Sequence, residues 1–163
     1  MTWIRKKKKF SKPKKMFDKL RIEEENVLVK KYGLKSKREI WKAEAQIDKI
    51  RRRAKESITA SEKEHAKIFN KLNKIGIKVE KISDVLSLDK ESWLKRRLQS
   101  VLVSKKMAKT PREARQLIVH KNVKINGNVV NIPGYIVKVV EEDKINVLRK
   151  INVANKNGGK KQK

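Results

Sequence analysis

The 163-residue chain carries 46 Lys and Arg against 18 Asp and Glu, a formal net charge of +28, with 37% hydrophobic and 5% aromatic residues. A free globular domain with this charge repels itself, so cations spread along the whole chain predict a polyanionic partner rather than a small acidic substrate. The absence of cysteine excludes disulfides, zinc ribbons and thiol catalysis, two distant histidines exclude a zinc site, and no apolar run approaches the roughly 18 residues that span a bilayer.

Basic segments lie at both ends of the chain. Lysines and arginines dominate residues 1–20, and residues 149–163 repeat this character. Neither segment can bury apolar surface, so we expect a basic arm and a basic tail that are disordered in the free protein and order on a polyanion. The alternative for the arm is a nuclear localisation signal or a solubilising tail. No hydrophobic stretch follows the basic start, so we expect neither a classical secretion signal nor membrane embedding.

Residues 21–92 are predicted to form a helical domain. A helix over Ile22–Tyr32 ends at Gly33, and Ser36 with Glu39 forms a capping box before a second amphipathic helix. A second box, Ser61 with Glu64, opens a third helix, and Asp84–Leu88 is a short helical turn. Glu23–Glu25 are interpreted as favourable charge at a helix N-terminus. Trp41 lies off the apolar stripe and could meet a partner.

Residues 93–148 are predicted to form a small module of two helices on a short, mainly antiparallel sheet, which makes the fold class α+β. The first helix spans Trp93–Val103, with Trp93 in the core. Thr110-Pro111-Arg112-Glu113 supplies N-cap, first-turn proline and N3 glutamate for the second. Asn126-Gly127 predicts a hairpin turn, and Tyr135–Val140 supplies further strand material.

The polar sides of these two helices predict a nucleic-acid surface, because only Glu113 lies among their cations. The candidate RNA-binding residues in the module are Lys95, Arg96, Arg97, Gln99, Lys109, Arg112, Arg115, Gln116, His120, Lys121, Asn122, Lys124 and Asn126. Outside the module they are Arg51, Arg52 and Arg53, with the arm residues Arg5, Lys6, Lys7, Lys8 and Lys9. The alternatives are a solvated helix end for the arginine triplet, a helix cap for His120 and a turn for Asn122.

A family resemblance rests on RRLQ (Arg96–Gln99), AKTPREARQLIVH (Ala108–His120), VKING (Val123–Gly127) and PGY (Pro133–Tyr135). These motifs closely resemble the alpha-L type RNA-binding motif and, within it, the small-subunit ribosomal protein four family. RIEEENVLVKKYGLKSKREIWKAEAQI (Arg21–Ile47) and DVLSL (Asp84–Leu88) resemble its archaeal-type members, so the resemblance covers about residues 21–145.

The resemblance implies a structural constituent of the small ribosomal subunit. It implies binding to small-subunit ribosomal RNA at a multi-helix junction, nucleation of assembly, and a place near the messenger entrance with an influence on decoding accuracy. Implied partners are that RNA, neighbouring ribosomal proteins and messenger RNA near the entrance, in the cytoplasm. No cofactor, metal, membrane or small-molecule substrate is expected. Because the major groove of A-form RNA is too narrow for a helix, recognition should be by shape.

Three other classes remain as alternatives. An RNA-modifying or aminoacylating enzyme would need a catalytic body, yet residues 1–92 offer no acid pair, phosphate-cradling loop or activated nucleophile, so we expect no enzyme. A stand-alone ribosome-associated factor, acting transiently in translation or stress, is the main alternative. A DNA-compacting protein would not need this order of helices and hairpin.

Many relatives place glycine where this chain has Lys121. A left-handed conformation is costly for lysine, so we expect Asn122 to share the turn or the helix end to shift.

Overall fold

A computed structural model describes residues 9–10, 12–58 and 62–148 of the chain. Arg5, Lys6, Lys7, Lys8 and the predicted tail at residues 149–163 lie outside this part, as does Ser61 of the second capping box. The helices are α1 (Lys19–Tyr32), α2 (Arg38–Ser57), α3 (Glu62–Ile75), α4 (Ile82–Ser87), α5 (Lys90–Lys95), α6 (Leu98–Ser104), α7 (Pro111–Val119) and α8 (Val139–Glu142). The strands are β1 (Val123–Ile125), β2 (Asn128–Val129) and β3 (Ile145–Val147).

Helices α1 to α5 share two apolar clusters, both of which involve α2. The first joins α1, the start of α2 and α5 through Leu28, Ile40 and Leu94. The second joins the end of α2 to α3 and α4 through buried Ala54, Leu72 and Val85. Trp93 packs against both clusters, so its predicted place in the core is confirmed, although it stays partly exposed.

The third cluster is the core of the predicted module. Leu102 of α6, Leu117 of α7, Val123 of β1 and Ile145 of β3 belong to it, and Leu117 and Val123 have no exposed surface. The sheet order is β2-β1-β3, with both pairs antiparallel and Ile125 opposite Ile145. The predicted α+β class is confirmed: a mostly helical chain carries a small antiparallel sheet.

Local signals mark several of the observed element ends. Gly33 ends α1 at φ 57°, and the turn of the hairpin has φ 51° at Asn126 and 83° at Gly127. The Thr110 side chain accepts a hydrogen bond from the Glu113 amide at 3.2 Å. These positions follow from the sequence because each depends only on neighbouring residues.

The helix predicted over Trp93–Val103 is wrong, because the chain breaks between α5 and α6. Arg97 is extended, with φ −71° and ψ 144°. The Leu98 amide donates to the Tyr135 carbonyl at 2.7 Å, and the Val137 amide donates to the Arg96 carbonyl at 3.1 Å. These two bonds form an isolated bridge between Arg97 and Ile136. The predicted strand over Tyr135–Val140 therefore does not join the sheet, and β3 is the third strand instead.

Three further expectations are wrong. The capping box of Ser36 and Glu39 does not form, because α2 begins at Arg38 after Lys37 and Glu39 Oε1 accepts from the Lys35 amide at 3.2 Å. Glu23–Glu25 lie beyond the first turn of α1, because the helix begins at Lys19. At the end of α7, Lys121 itself takes the left-handed conformation, φ 60°. The amides of Lys121 and Asn122 each donate at 3.0 Å, to the carbonyls of Ile118 and Leu117. These capping bonds offset a conformational cost of about 1–2 kcal/mol for a residue with a Cβ.

Candidate nucleic-acid interface

The outer side of α7 is polar and cationic apart from Val119, which is 52% exposed. Ala114, Leu117 and Ile118 are fully buried on the inner side, and helical periodicity turns Arg112 and Gln116 outward, where both are exposed. We define the cationic face as Lys109, Arg112, Gln116, His120 and Lys121, all of them exposed.

The cations of this face have no acidic partner within the part of the chain that the structure describes. Lys109, Arg112 and Lys121 form no ion pair there. Glu113 is the acid on α7, but its Oε2 accepts from the Lys109 backbone amide at 2.8 Å. The side-chain charges of the face are therefore left to solvent or to an anionic ligand.

Lys124 and Asn126 lie on the sheet. Val123 and Ile125 of β1 are buried in the core with α7, so strand alternation turns Lys124 toward the opposite side of the sheet. Asn126 is exposed in the hairpin turn, and Asn122 is half-buried before β1. The face predicted to straddle phosphates is therefore divided: Lys124 does not share the outer side of α7.

Arg97 and Arg115 both bind one acid that lies far from them in the sequence. Both guanidinium groups bind Glu39 near the start of α2, Arg115 at 3.0 Å. The side chains of Arg97, Glu39 and Arg115 are 9%, 16% and 24% exposed. Burial raises the pKa of Glu39, but the hydrogen bonds from Arg115 and Arg97 outweigh it, so the net pKa lies below its ordinary value. We call these three residues the Glu39 cluster.

Gln99 is enclosed where α1, α6 and α7 meet. Its Nε2 lies 2.9, 3.0 and 2.7 Å from the carbonyl oxygens of Tyr32, Gly33 and Pro111. A Cβ on Gly33 would lie 2.8 Å from the Pro111 Cβ and 2.9 Å from the Gln99 Nε2. Only glycine therefore allows this approach. With 1% exposure, the Gln99 side chain joins the helical half to the module.

Lys95 and Arg96 are the candidate cations at the end of α5, and Arg96 has partners inside the protein. Its guanidinium binds Glu142 and the Val137 carbonyl, the latter at 3.1 Å. Lys95 is exposed. At the break between α5 and α6, Arg96 therefore binds the segment after Gly134, and Arg97 binds Glu39 near the start of α2. We leave Arg96, Arg97, Gln99 and Arg115 out of the proposed interface for this reason.

The arginine triplet of α2 is likewise divided. Arg51 donates to the Leu88 carbonyl and lies 3.6 Å from Asp48. Arg52 and Arg53 are exposed and form no ion pair with any described residue. Lys9, the one arm residue of the predicted set that the structure describes, is also exposed. Arg52, Arg53 and Lys9 therefore remain available to an anionic partner.

The Trp41 indole is used inside the helical half. Its Nε1 donates to Glu25 Oε1 at 2.9 Å, and the same carboxylate binds Arg21 at 2.7 Å and Lys37 at 3.4 Å. Burial raises the pKa of Glu25, yet these hydrogen bonds bring the net pKa below its ordinary value.

The described residues include no group of three or more acidic or His side chains placed to hold a metal ion. None of the helices there has the length and apolar content that crossing a bilayer requires.

Comparison with known proteins agrees with the motifs. A model of the S4 domain matches residues 96–145. Small ribosomal subunit protein uS4 of Methanococcus aeolicus is 44% identical over 135 residues, which cover 78% of this chain and 76% of the relative. The protein of the same name from Methanothermobacter thermautotrophicus is 43% identical over 85% of each chain. That of Thermoplasma volcanium is 38% identical over 91% of this chain and 78% of the relative. The chain belongs to the small ribosomal subunit protein uS4 family.

Proposed function

We propose that this protein is a structural constituent of the small ribosomal subunit and binds small-subunit ribosomal RNA through the cationic face of its S4 domain. One observation carries the proposal: in a member of the uS4 family, the exposed cations of α7 and its flanks have no acidic partner among the described residues. Phosphates would neutralise them and release condensed counterions, which is the main source of affinity for such surfaces.

The contacts follow from the geometry of the face. Arg112 offers a planar guanidinium for bidentate phosphate contacts, and Lys109 and Lys121 add point charges at the two ends of α7. Gln116 and His120 carry groups that can hydrogen-bond 2′-hydroxyls, which distinguish RNA from DNA. Recognition of this kind reads the shape of the RNA and its backbone rather than a base sequence in a deep groove.

The internal ion pairs support a junction of several RNA helices as the target. The Glu39 cluster and Gln99 fix α2 and α1 against α7. Arg52 and Arg53 of α2 therefore keep a constant distance from the cationic face. Two cationic regions held at a fixed separation fit two RNA elements whose separation is also fixed, since preorganisation lowers the entropic cost of binding.

We also propose early binding during assembly, a place near the messenger entrance, contact with neighbouring ribosomal proteins and an influence on decoding accuracy. They rest on the family resemblance and on the net charge of +28, which requires many phosphate contacts to neutralise. The relatives are ribosomal proteins by name and not enzymes, and we propose a non-catalytic role in cytoplasmic ribosomes for this chain as well.

Sedimentation of subunits through a gradient at high salt tests the proposal. A structural constituent stays with the small subunit at one copy per particle, because its many contacts together give an affinity that remains high after salt has weakened each phosphate contact. The transient-factor alternative predicts partial occupancy and loss of the protein as the salt concentration rises. Loss from the small subunit would overturn the proposal in favour of that alternative.

A further inference from the structure

The outward side of α1 combines exposed apolar side chains with exposed acids, and four of the eleven exposed large apolar side chains in the described part of the chain lie in or just before this helix. Four large apolar side chains in and just before the helix are exposed: Met16 63%, Phe17 91%, Leu20 73% and Val27 63%. Soluble proteins seldom present such a group of apolar side chains unless it binds something. The inner side of α1 is already used, because Leu28 and Tyr32 are buried against α2 and α5.

Met16 and Phe17 lie in a turn that the Arg21 side chain holds against α1. The Arg21 guanidinium donates to the Lys15 carbonyl at 2.9 Å and to the Met16 carbonyl at 3.0 Å. The other terminal nitrogen of this guanidinium lies 2.7 Å from Oε1 of Glu25, whose side chain is 5% exposed. Three contacts from one arginine therefore hold the turn against α1 while Phe17 remains 91% exposed.

Two carboxylates lie among the apolar side chains of this surface. Glu23 and Glu24 are three and four residues after Leu20, and Val27 is seven residues after it, so helical periodicity places all four on one side of α1. Both glutamates are exposed, and neither forms an ion pair with a described residue, although the chain has 46 Lys and Arg. We call Met16, Phe17, Leu20, Glu23, Glu24 and Val27 the α1 surface.

We propose that the α1 surface binds a basic protein: a neighbouring subunit protein that covers Leu20 and Val27 with apolar side chains and pairs Lys or Arg with Glu23 and Glu24. The carboxylates of Glu23 and Glu24 repel the phosphates of RNA or of an anionic lipid at the centre of this surface, whereas they attract Lys or Arg of a basic protein. A symmetric second copy would place the same carboxylates against each other. This inference rests on the proposed function and specifies the chemistry of one protein contact within it.

Photocrosslinking in assembled subunits tests this contact. A benzophenone amino acid replaces Leu20 in the full chain, and the same residue replaces Arg112 as a matched control on the cationic face. After irradiation of purified small subunits, we expect Leu20 to crosslink to another subunit protein and Arg112 to crosslink to RNA. Crosslinking of Leu20 to RNA or to this chain itself, or no crosslink at Leu20 alongside an RNA crosslink at Arg112, would overturn the inference while leaving the proposed function intact.

A charge reversal supplies the second measurement. Glu23→Lys with Glu24→Lys should reduce the Leu20 protein crosslink by about fivefold or more, because like charges then meet at the contact. Glu44→Lys with Glu56→Lys, at two exposed positions on α2, should leave it unchanged. An equal yield in all three chains would overturn the role of Glu23 and Glu24. If the chain is absent from small subunits, the proposed function fails and the inference fails with it.

Discussion

Arg112 and Arg115 lie three residues apart on α7, and the structure predicts that removing Arg115 lowers stability whereas removing Arg112 weakens RNA binding. Arg115 binds Glu39 and is 24% exposed, whereas Arg112 is exposed and has no acidic partner among the described residues. Arg115→Ala should therefore lower the free energy of unfolding. Arg112→Ala should leave stability within about 0.5 kcal/mol of the parent chain and weaken RNA binding instead.

The size of the Arg115 effect follows from its contacts. Its guanidinium donates to Glu39 at 3.0 and 3.3 Å and reaches Gln99 Oε1 at 3.4 Å. Removing one partner of a buried ion pair costs about 3–5 kcal/mol, and a hydrogen bond to a charged group contributes about 1.5–3 kcal/mol. Because Arg97 continues to pair with Glu39, we expect the lower end, about 2 kcal/mol. For a chain of this length that corresponds to a melting temperature lowered by about 4–8 °C.

Urea unfolding of the two single variants measures the difference directly. A double-mutant cycle of Arg115→Ala with Glu39→Gln should give a coupling energy of about 1 kcal/mol or more, as residues in direct contact do. In parallel, Arg112→Ala should lower the salt dependence of RNA binding by about one in slope, the loss of one phosphate contact. The reasoning is refuted if Arg115→Ala is as stable as the parent chain, or if Arg112→Ala unfolds at a lower urea concentration.

Three other predictions use the same unfolding assay. Gly33→Ala should cost about 2–4 kcal/mol, because it adds a crowded Cβ near Pro111 to a left-handed conformation, whereas Gly127→Ala, with φ 83° and open space around it, should cost only about 1 kcal/mol. Lys121→Gly should raise stability by about 0.5–1 kcal/mol, by relieving φ 60°, and should lower the salt slope of RNA binding by about one. Because the pKa of Glu39 is lowered by folding, its stabilising effect is present above its ordinary value of 4.5 and is lost as pH falls through the lower folded pKa. Glu39→Gln should show a weaker loss of stability in that range.

Each of these predictions has a contrary result. Equal costs for the two glycine variants would show that the contact with Pro111 is not tight. A Lys121→Gly chain that is less stable than the parent would show that the conformation at this position is not strained. A Glu39→Gln variant with the parent's acid unfolding profile would assign acid sensitivity to other carboxylates such as Glu25, whose pKa is also lowered.

Local signals in the sequence predicted much of the fold. The end of α1 at Gly33, the start of α7 at Thr110 and the turn at Asn126-Gly127 each depend on a few adjacent residues. The buried residues of α2 and α7 follow helical spacing for the same reason. Lys109, Arg112 and Lys121 are among the candidate RNA-binding residues predicted from the sequence, and all three are exposed.

The remaining features depend on contacts between distant parts of the chain. Glu39 lies 58 residues before Arg97 and 76 before Arg115, so no local pattern associates them, and arginines on one side of a helix appear free in the sequence. The break at Arg97 has the same origin, because the Leu98 amide bonds the Tyr135 carbonyl rather than a helical neighbour. Gln99 has a polar side chain typical of a binding surface, yet its Nε2 lies against three backbone carbonyls inside the protein.

The most direct test of the proposed RNA contact is identification of the peptides that crosslink to ribosomal RNA in purified small subunits under ultraviolet light. We expect crosslinks within residues 109–121, at the outer side of α7, and none at the enclosed Gln99 or Arg97. Crosslinks at Gln99 and Arg97 without any at Lys109, Arg112 or Lys121 would contradict the proposed interface.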